Sequence, residues 1–195
     1  MSATTDGERL LERHGRALDA FTDRVHGIRA DQWGAPTPCA EWSVRDLVNH
    51  LAAEQAWAVP LVRDGATIEA VGDAYDGDVL GADPVAAWDG AAAAARAAFR
   101  EPGALDRTVH LSYGDTPAPD YCAQMVTDLV VHTWDLSRAV GAPERLPDDL
   151  VAHALHEVAP YAADLAGTGL FARPVPPPPG ADEQTRLLCL LGRRP

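Results

Sequence analysis

Apolar positions recur at helical steps from the start of the chain. Leu10, His14, Leu18, Phe21, Val25 and Ile28 fall three or four residues apart, which predicts an amphipathic helix over residues 6–30. Pro36 and Pro38 bound it. A second helix starts at Ser43, with Asp46 three residues on in a capping-box arrangement and Trp42 placed to staple onto Leu47. Its pattern runs to Val62, with Pro60 bending the last turn. Residues 64–82 are acidic and Gly-rich and read as a long loop. The run Asp73–Asp78 lacks the ligand spacing of a calcium loop, so it reads as solvated. Asp83 then caps a third helix with Pro84 at its first position, continuing to Arg100. Thr108–Tyr113 alternates like a short strand, and Gly114–Pro117 reads as a turn. Residues 119–140 form the longest amphipathic segment, closed by Gly141 and Pro143. A fifth helix is predicted over Pro147–Ala166 with a kink at Pro160. The proline run 174–179 follows as a stiff, extended connector, and residues 183–191 as a short helix.

Several helices and little strand define a mainly all-α fold. The expected architecture is an up-and-down four-helix bundle with a short strand or hairpin over residues 1–166. Residues 167–195, the connector and the short helix, form a small C-terminal extension packed on the bundle.

Composition narrows the function. At 195 residues and 47% hydrophobic content the chain can bury a core and is not globally disordered. A formal charge of −13 repels phosphate backbones and argues against a nucleic-acid partner. No stretch approaches the roughly 20 apolar residues of a membrane span, and the first residues lack the pattern of a signal peptide. A cytoplasmic protein, monomeric or homodimeric, is the expectation. All 16 basic residues are Arg, which excludes Schiff-base and P-loop lysine chemistry. Cys39, Cys122 and Cys189 are odd in number and widely spaced, which argues against a disulfide framework, and no C-x-x-C pair occurs.

The unusual chemistry sits on the long amphipathic segment. Its buried stripe should comprise Met125, Leu129, His132 and Leu136, with Asp128 one turn before His132. An unpaired buried carboxylate costs several kcal/mol or is forced to protonate, so something must compensate it. On the second helix, His50 lies at the edge of the apolar face beside Leu47 and Leu51. His50, Asp128 and His132 make a two-histidine, one-carboxylate set of the kind that leaves coordination positions open. A simple Asp128–His132 pair answers the same pattern, and both readings stand on spacing. Glu54 and Asp135 are candidates to orient metal-bound histidines, or plain solvated positions. His14 reads as a core histidine with a ligand role as the alternative. His153, His156 and Glu157 read as a polar helix face. Cys39 reads as a small buried residue, although it precedes a capped helix.

Two stretches carry a resemblance. Residues 37–51, from Thr37-Pro38-Cys39 through Trp42-Ser43 to His50-Leu51, resemble the opening motif of the mycothiol-dependent maleylpyruvate isomerase-like family, a branch of the DinB superfamily of metal-binding bundles. Asp128–Leu136 is similar to that family's later metal-binding helix, and Gln184–Arg193 is a weaker third match. The resemblance implies a DinB-like bundle and a divalent metal, most often zinc, on His50, Asp128 and His132. It also implies an open position for a low-molecular-weight thiol such as mycothiol, hence a thiol-dependent transferase or isomerase acting on an electrophilic small molecule. The characterised isomerase has Glu where this chain has Asp128, and it carries a fuller C-terminal domain, so the resemblance bears on the site more than on the substrate. The alternative is a non-catalytic metal- or small-ligand-binding protein with a structural or regulatory ion.

Overall fold

The structure is a computed structural model describing residues 3–162 and 172–195. Its helices are α1 (Ala3–His26), α2 (Val44–Ala58), α3 (Ile68–Val71), α4 (Pro84–Arg100), α5 (Ala118–Val140), α6 (Asp148–Val158) and α7 (Glu183–Leu190). A hairpin of β1 (Thr108–Leu111) and β2 (Gly114–Pro117) sits between α4 and α5.

The bundle is built by α1, α2, α4 and α5. Side-chain pairs give the helix directions. His26 meets Asp89 and His14 meets Phe99, so α1 and α4 are antiparallel. Arg24 bonds Ser137 while Ala17 and Ala20 lie near Val130 and Thr133, so α1 and α5 run parallel. Trp42 and His50 both meet His132 while His50 also reaches Asp128, which sets α2 against α5. Therefore α2 and α4 run the same way, which needs the long 59–83 connection to carry the chain back along the bundle. The core between the helices holds Leu18, Phe21, Leu47, Leu51, Trp88, Phe99, Leu129 and Trp134, all fully buried.

Local chemistry explains most boundaries. Ser43 and Asp46 form the expected capping box on α2. Pro60 supplies no N–H, so the regular ladder stops at Ala58 and the chain continues in a wider π turn over Val59–Arg63. Helix α1 ends at His26, short of the predicted 30, and Ile68–Val71 forms one helical turn inside the expected loop. The predicted turn at Gly114–Pro117 is instead the second strand; Ser112 and Tyr113 make the reversal. Helix α6 ends at Val158, two residues before Pro160, rather than kinking there. The remainder of the predicted fifth helix, 163–166, and the expected boundary at 166/167 lie outside the described residues.

Helix α5 departs most from its sequence pattern. Its predicted stripe is buried, but so are Val126, Val130 and Ser137, because α6 covers the side turned away from α2. Its inward hydroxyls are satisfied within the helix. Thr127 donates to the Ala123 carbonyl, Thr133 to that of Leu129 and Ser137 to that of Thr133.

Helix α7 packs on α6, and the connector is tied to it where the Val175 N–H donates to the Cys189 carbonyl at 2.9 Å. Gly192 follows in the left-handed region at φ 81°, and a Cβ there would lie 2.6 Å from that of Ala172. Only glycine suits this turn. It points the next residue, Arg193, back toward α5.

Candidate metal centre

The antiparallel setting of α2 against α5 brings the three sequence-predicted donors together. His50 Nε2 lies 3.4 Å from Asp128 Oδ2, and His132 Nε2 lies 3.3 Å from Asp128 Oδ1. One donor atom from each residue lies within 4.8 Å of the others. Asp128 and His132 share a face because they stand four residues apart on one helix. The site is graded in burial. The His132 side chain is 4% exposed, those of Asp128 and His50 22% and 26%, so one side opens outward.

The residues present fit a divalent ion. Bond lengths of about 2.0–2.1 Å from zinc to nitrogen or oxygen, in tetrahedral geometry, put neighbouring donors about 3.3–3.4 Å apart. The His50 and His132 Nε2 atoms reach the two oxygens of the Asp128 carboxylate at separations of that order, so the three groups can close around one ion.

Behind the donors lies a second layer. His132 Nδ1 is 2.9 Å from Asp135 Oδ2, an interaction that turns Nε2 toward Asp128. Asp135 is fully buried and is held in turn by Arg193, whose Nη2 donates to Oδ2 at 2.7 Å. Cys39 Sγ lies 3.3 Å from Asp135 Oδ2, 3.4 Å from Arg193 Nη2 and 3.8 Å from His132 Nδ1. Cys39, His132 and Asp135 thus form a second potential donor group, but the Arg193 guanidinium already supplies the cation among them. Trp42 covers the face of the centre, with its ring 4.9 Å from that of His50 and 6.0 Å from that of His132.

The electrostatics follow this layering. Burial pushes the Asp128 carboxyl up, yet His132 and His50 hold it well below the usual carboxylate range. Burial disfavours a charged His132, but Asp128, Asp135 and Cys39 together hold its pKa well above the ordinary histidine value. Asp135 is lowered to about 2, because His132 and Arg193 outweigh its burial. Burial, reinforced by Asp128, raises the Glu54 carboxyl, and His50 and His132 offset part of that.

Other expectations resolve differently. Of the two candidate orienting acids, Asp135 contacts His132, whereas Glu54 is not bonded to His50. His14 is a core residue, 1% exposed beside Phe99 and outside both potential donor groups, and its Nε2 has no hydrogen-bond partner among the described residues. His156 is exposed on α6, with His153 and Glu157 half-buried. The sequence gives no sign that Cys39, half-buried with Sγ 3.8 Å from His132 Nδ1, and Trp42, placed as a staple, stand beside the histidines. It gave Arg193 no role, and no spacing rule reaches across the 58 residues to Asp135.

A helical bundle with histidine and carboxylate donors converging from two facing helices defines a class of candidate metal proteins. The chain matches the family described as mycothiol maleylpyruvate isomerase N-terminal domain over residues 14–137, and it belongs to that family. That span contains all three donor residues. Uncharacterised proteins from two strains of Mycobacterium tuberculosis are each 33% identical over 189 residues, covering 94% of this chain and 97% of theirs. No solved structure matches the chain. Among the described residues no helix is long and apolar enough to cross a membrane.

Proposed function

We propose that this chain is a cytoplasmic, thiol-dependent metalloprotein in which His50, Asp128 and His132 hold a divalent ion, zinc or its like. The observation that carries the reading is the pair of nitrogen–oxygen separations at 3.3 and 3.4 Å, with the second nitrogen of His132 already engaged by Asp135. When bound, such an ion lowers the pKa of a thiol or water at its open position and so supplies a nucleophile at neutral pH. The chain's own residues shape the rest. Asp135 fixes the ring of His132, and Arg193 keeps that carboxylate ionised in its buried place. Trp42 shields the two imidazoles from bulk water on one side. Family membership supports mycothiol as the thiol and an electrophilic small molecule as its target, in a transfer or isomerisation.

One observation favours a second reading. Asp128 stands within ion-pair distance of both imidazoles, so the centre balances its own charge as a purely structural cluster. A metal-binding protein without catalysis lies between the two. Elemental analysis of the protein as isolated, beside a His132→Ala variant, separates them. We expect about one equivalent of metal in the wild type and its loss in the variant. A metal-free wild type, purified without chelators, would leave the structural cluster. With metal present, thermal stabilisation and turnover with mycothiol are expected; their absence would leave a binding protein.

A further inference from the structure

Glu54 follows His50 by one turn on α2, so the two side chains leave the same face of that helix. It is half-buried and makes no hydrogen bond or ion pair with any described residue. Its surroundings are nonetheless those of the centre. The charged groups acting on it are Asp128 and His132 from α5 and His50 from its own helix. Tyr121 of α5 and Tyr113 at the hairpin reversal both feel its charge in turn. Its carboxylate is outside the set of donor atoms that lie within 4.8 Å of one another, so it stands beside the cluster rather than in it. A half-buried carboxylate without a partner among the described residues carries a desolvation cost, and a proton or hydrogen-bond donor arriving from a ligand would relieve it.

Resting on the metal reading above, we propose that Glu54 is the proton acceptor of this site, taking the proton that a thiol or water gives up on entering the centre as its anion. The S–H bond breaks, the sulfur keeps the electron pair and takes the open position, and a new O–H bond forms on the Glu54 carboxyl. No oxidant or reductant is needed. The arrangement keeps the charge of the pocket constant, because a negative sulfur arrives as a negative carboxylate is neutralised. It also assigns the two α2 side chains separate tasks: His50 ligates, and Glu54 handles the proton.

The test counts protons. Wild type, Glu54→Gln and Glu54→Asp are loaded with Co2+, whose visible absorption reports its coordination. Each is then titrated calorimetrically with mycothiol in two buffers of different ionisation heat. All three should hold Co2+ in the same ratio. The wild type should release few protons to buffer per thiol bound, and its affinity should change little between pH 6 and 8. Glu54→Gln should release close to one proton, with affinity rising about tenfold per pH unit, since the proton must then go to solvent. Glu54→Asp should fall nearer the wild type. Equal proton release from loaded wild type and loaded Glu54→Gln would overturn the role of Glu54 while leaving the metal reading standing. A wild type that takes up no Co2+, or whose spectrum ignores mycothiol, would overturn the metal–thiol reading and this inference with it.

Discussion

Asp135 has two obligations. It accepts from His132 on one side and from Arg193 on the other, with no exposure to solvent. An Asp135→Asn substitution keeps the shape but removes the charge. Metal affinity should fall about 10–100-fold, the usual penalty for losing a partner behind a metal-bound histidine. Competition with a chromophoric chelator measures it. The same change removes the carboxylate that the buried Arg193 guanidinium pairs with, so stability should drop by roughly 3–5 kcal/mol. Chemical denaturation of the metal-free protein reads that loss separately. At this scale the sequence was informative where side chains share one helix and silent where they meet across the fold. The four-residue spacing of Asp128 and His132 is enough by itself to put both groups on one face. The approach of Cys39 and Arg193 depends on how a distant tail returns, and no local pattern encodes that.

Among the elements, α2 has the most to position, since it carries His50 and Glu54 and ends in the π turn. Its start is pinned by reciprocal bonds. Ser43 Oγ accepts from the Asp46 N–H at 3.2 Å, and the Asp46 carboxylate accepts from the Ser43 N–H at 2.9 Å. Ser43→Ala should cost about 1 kcal/mol, visible as a lower urea midpoint with unchanged slope. Asn49 ties the same helix to the loop beyond it, donating to the Gly77 carbonyl and accepting from the Val79 N–H. Capping and proline signals made most helix ends legible. The hairpin was half legible: Thr108–Leu111 has the alternation of a strand, whereas Gly114-Asp115-Thr116-Pro117 has turn composition and becomes a strand only by pairing with it. Helix α5 looked amphipathic because its hydroxyls count as polar, yet they bond within the helix and tolerate burial.

Over the whole molecule, His14 makes the core sensitive to acid. It lies on α1 against Phe99 of α4 at 1% exposure, and burial together with nearby Arg96 lowers its pKa to about 4. The unfolded chain therefore binds this proton near pH 6.5 while the folded one resists it. The contribution of this group is complete above pH 6.5 and is lost as pH falls toward 4, by roughly 3 kcal/mol over the window. A His14→Met variant should show a flatter stability profile across that window, whereas Asp135 contributes its own loss only below about pH 4. Denaturation midpoints at half-unit pH steps would reveal the difference. An unchanged slope in His14→Met would place the acid sensitivity elsewhere. The bundle class was legible from helical periodicity. The shared direction of α2 and α4 was not, since periodicity reports that helices exist and says nothing of which way each one runs.

Trp42 gives the centre an optical voice. An indole within 4.9 Å of one imidazole and 6.0 Å of another is close enough for contact quenching, and an imidazolium quenches indole emission more strongly than a neutral ring. Any ion that displaces the proton from His132 therefore changes the emission of this tryptophan. Occupancy of the centre can be followed by intrinsic fluorescence, with no label attached and no substrate in hand.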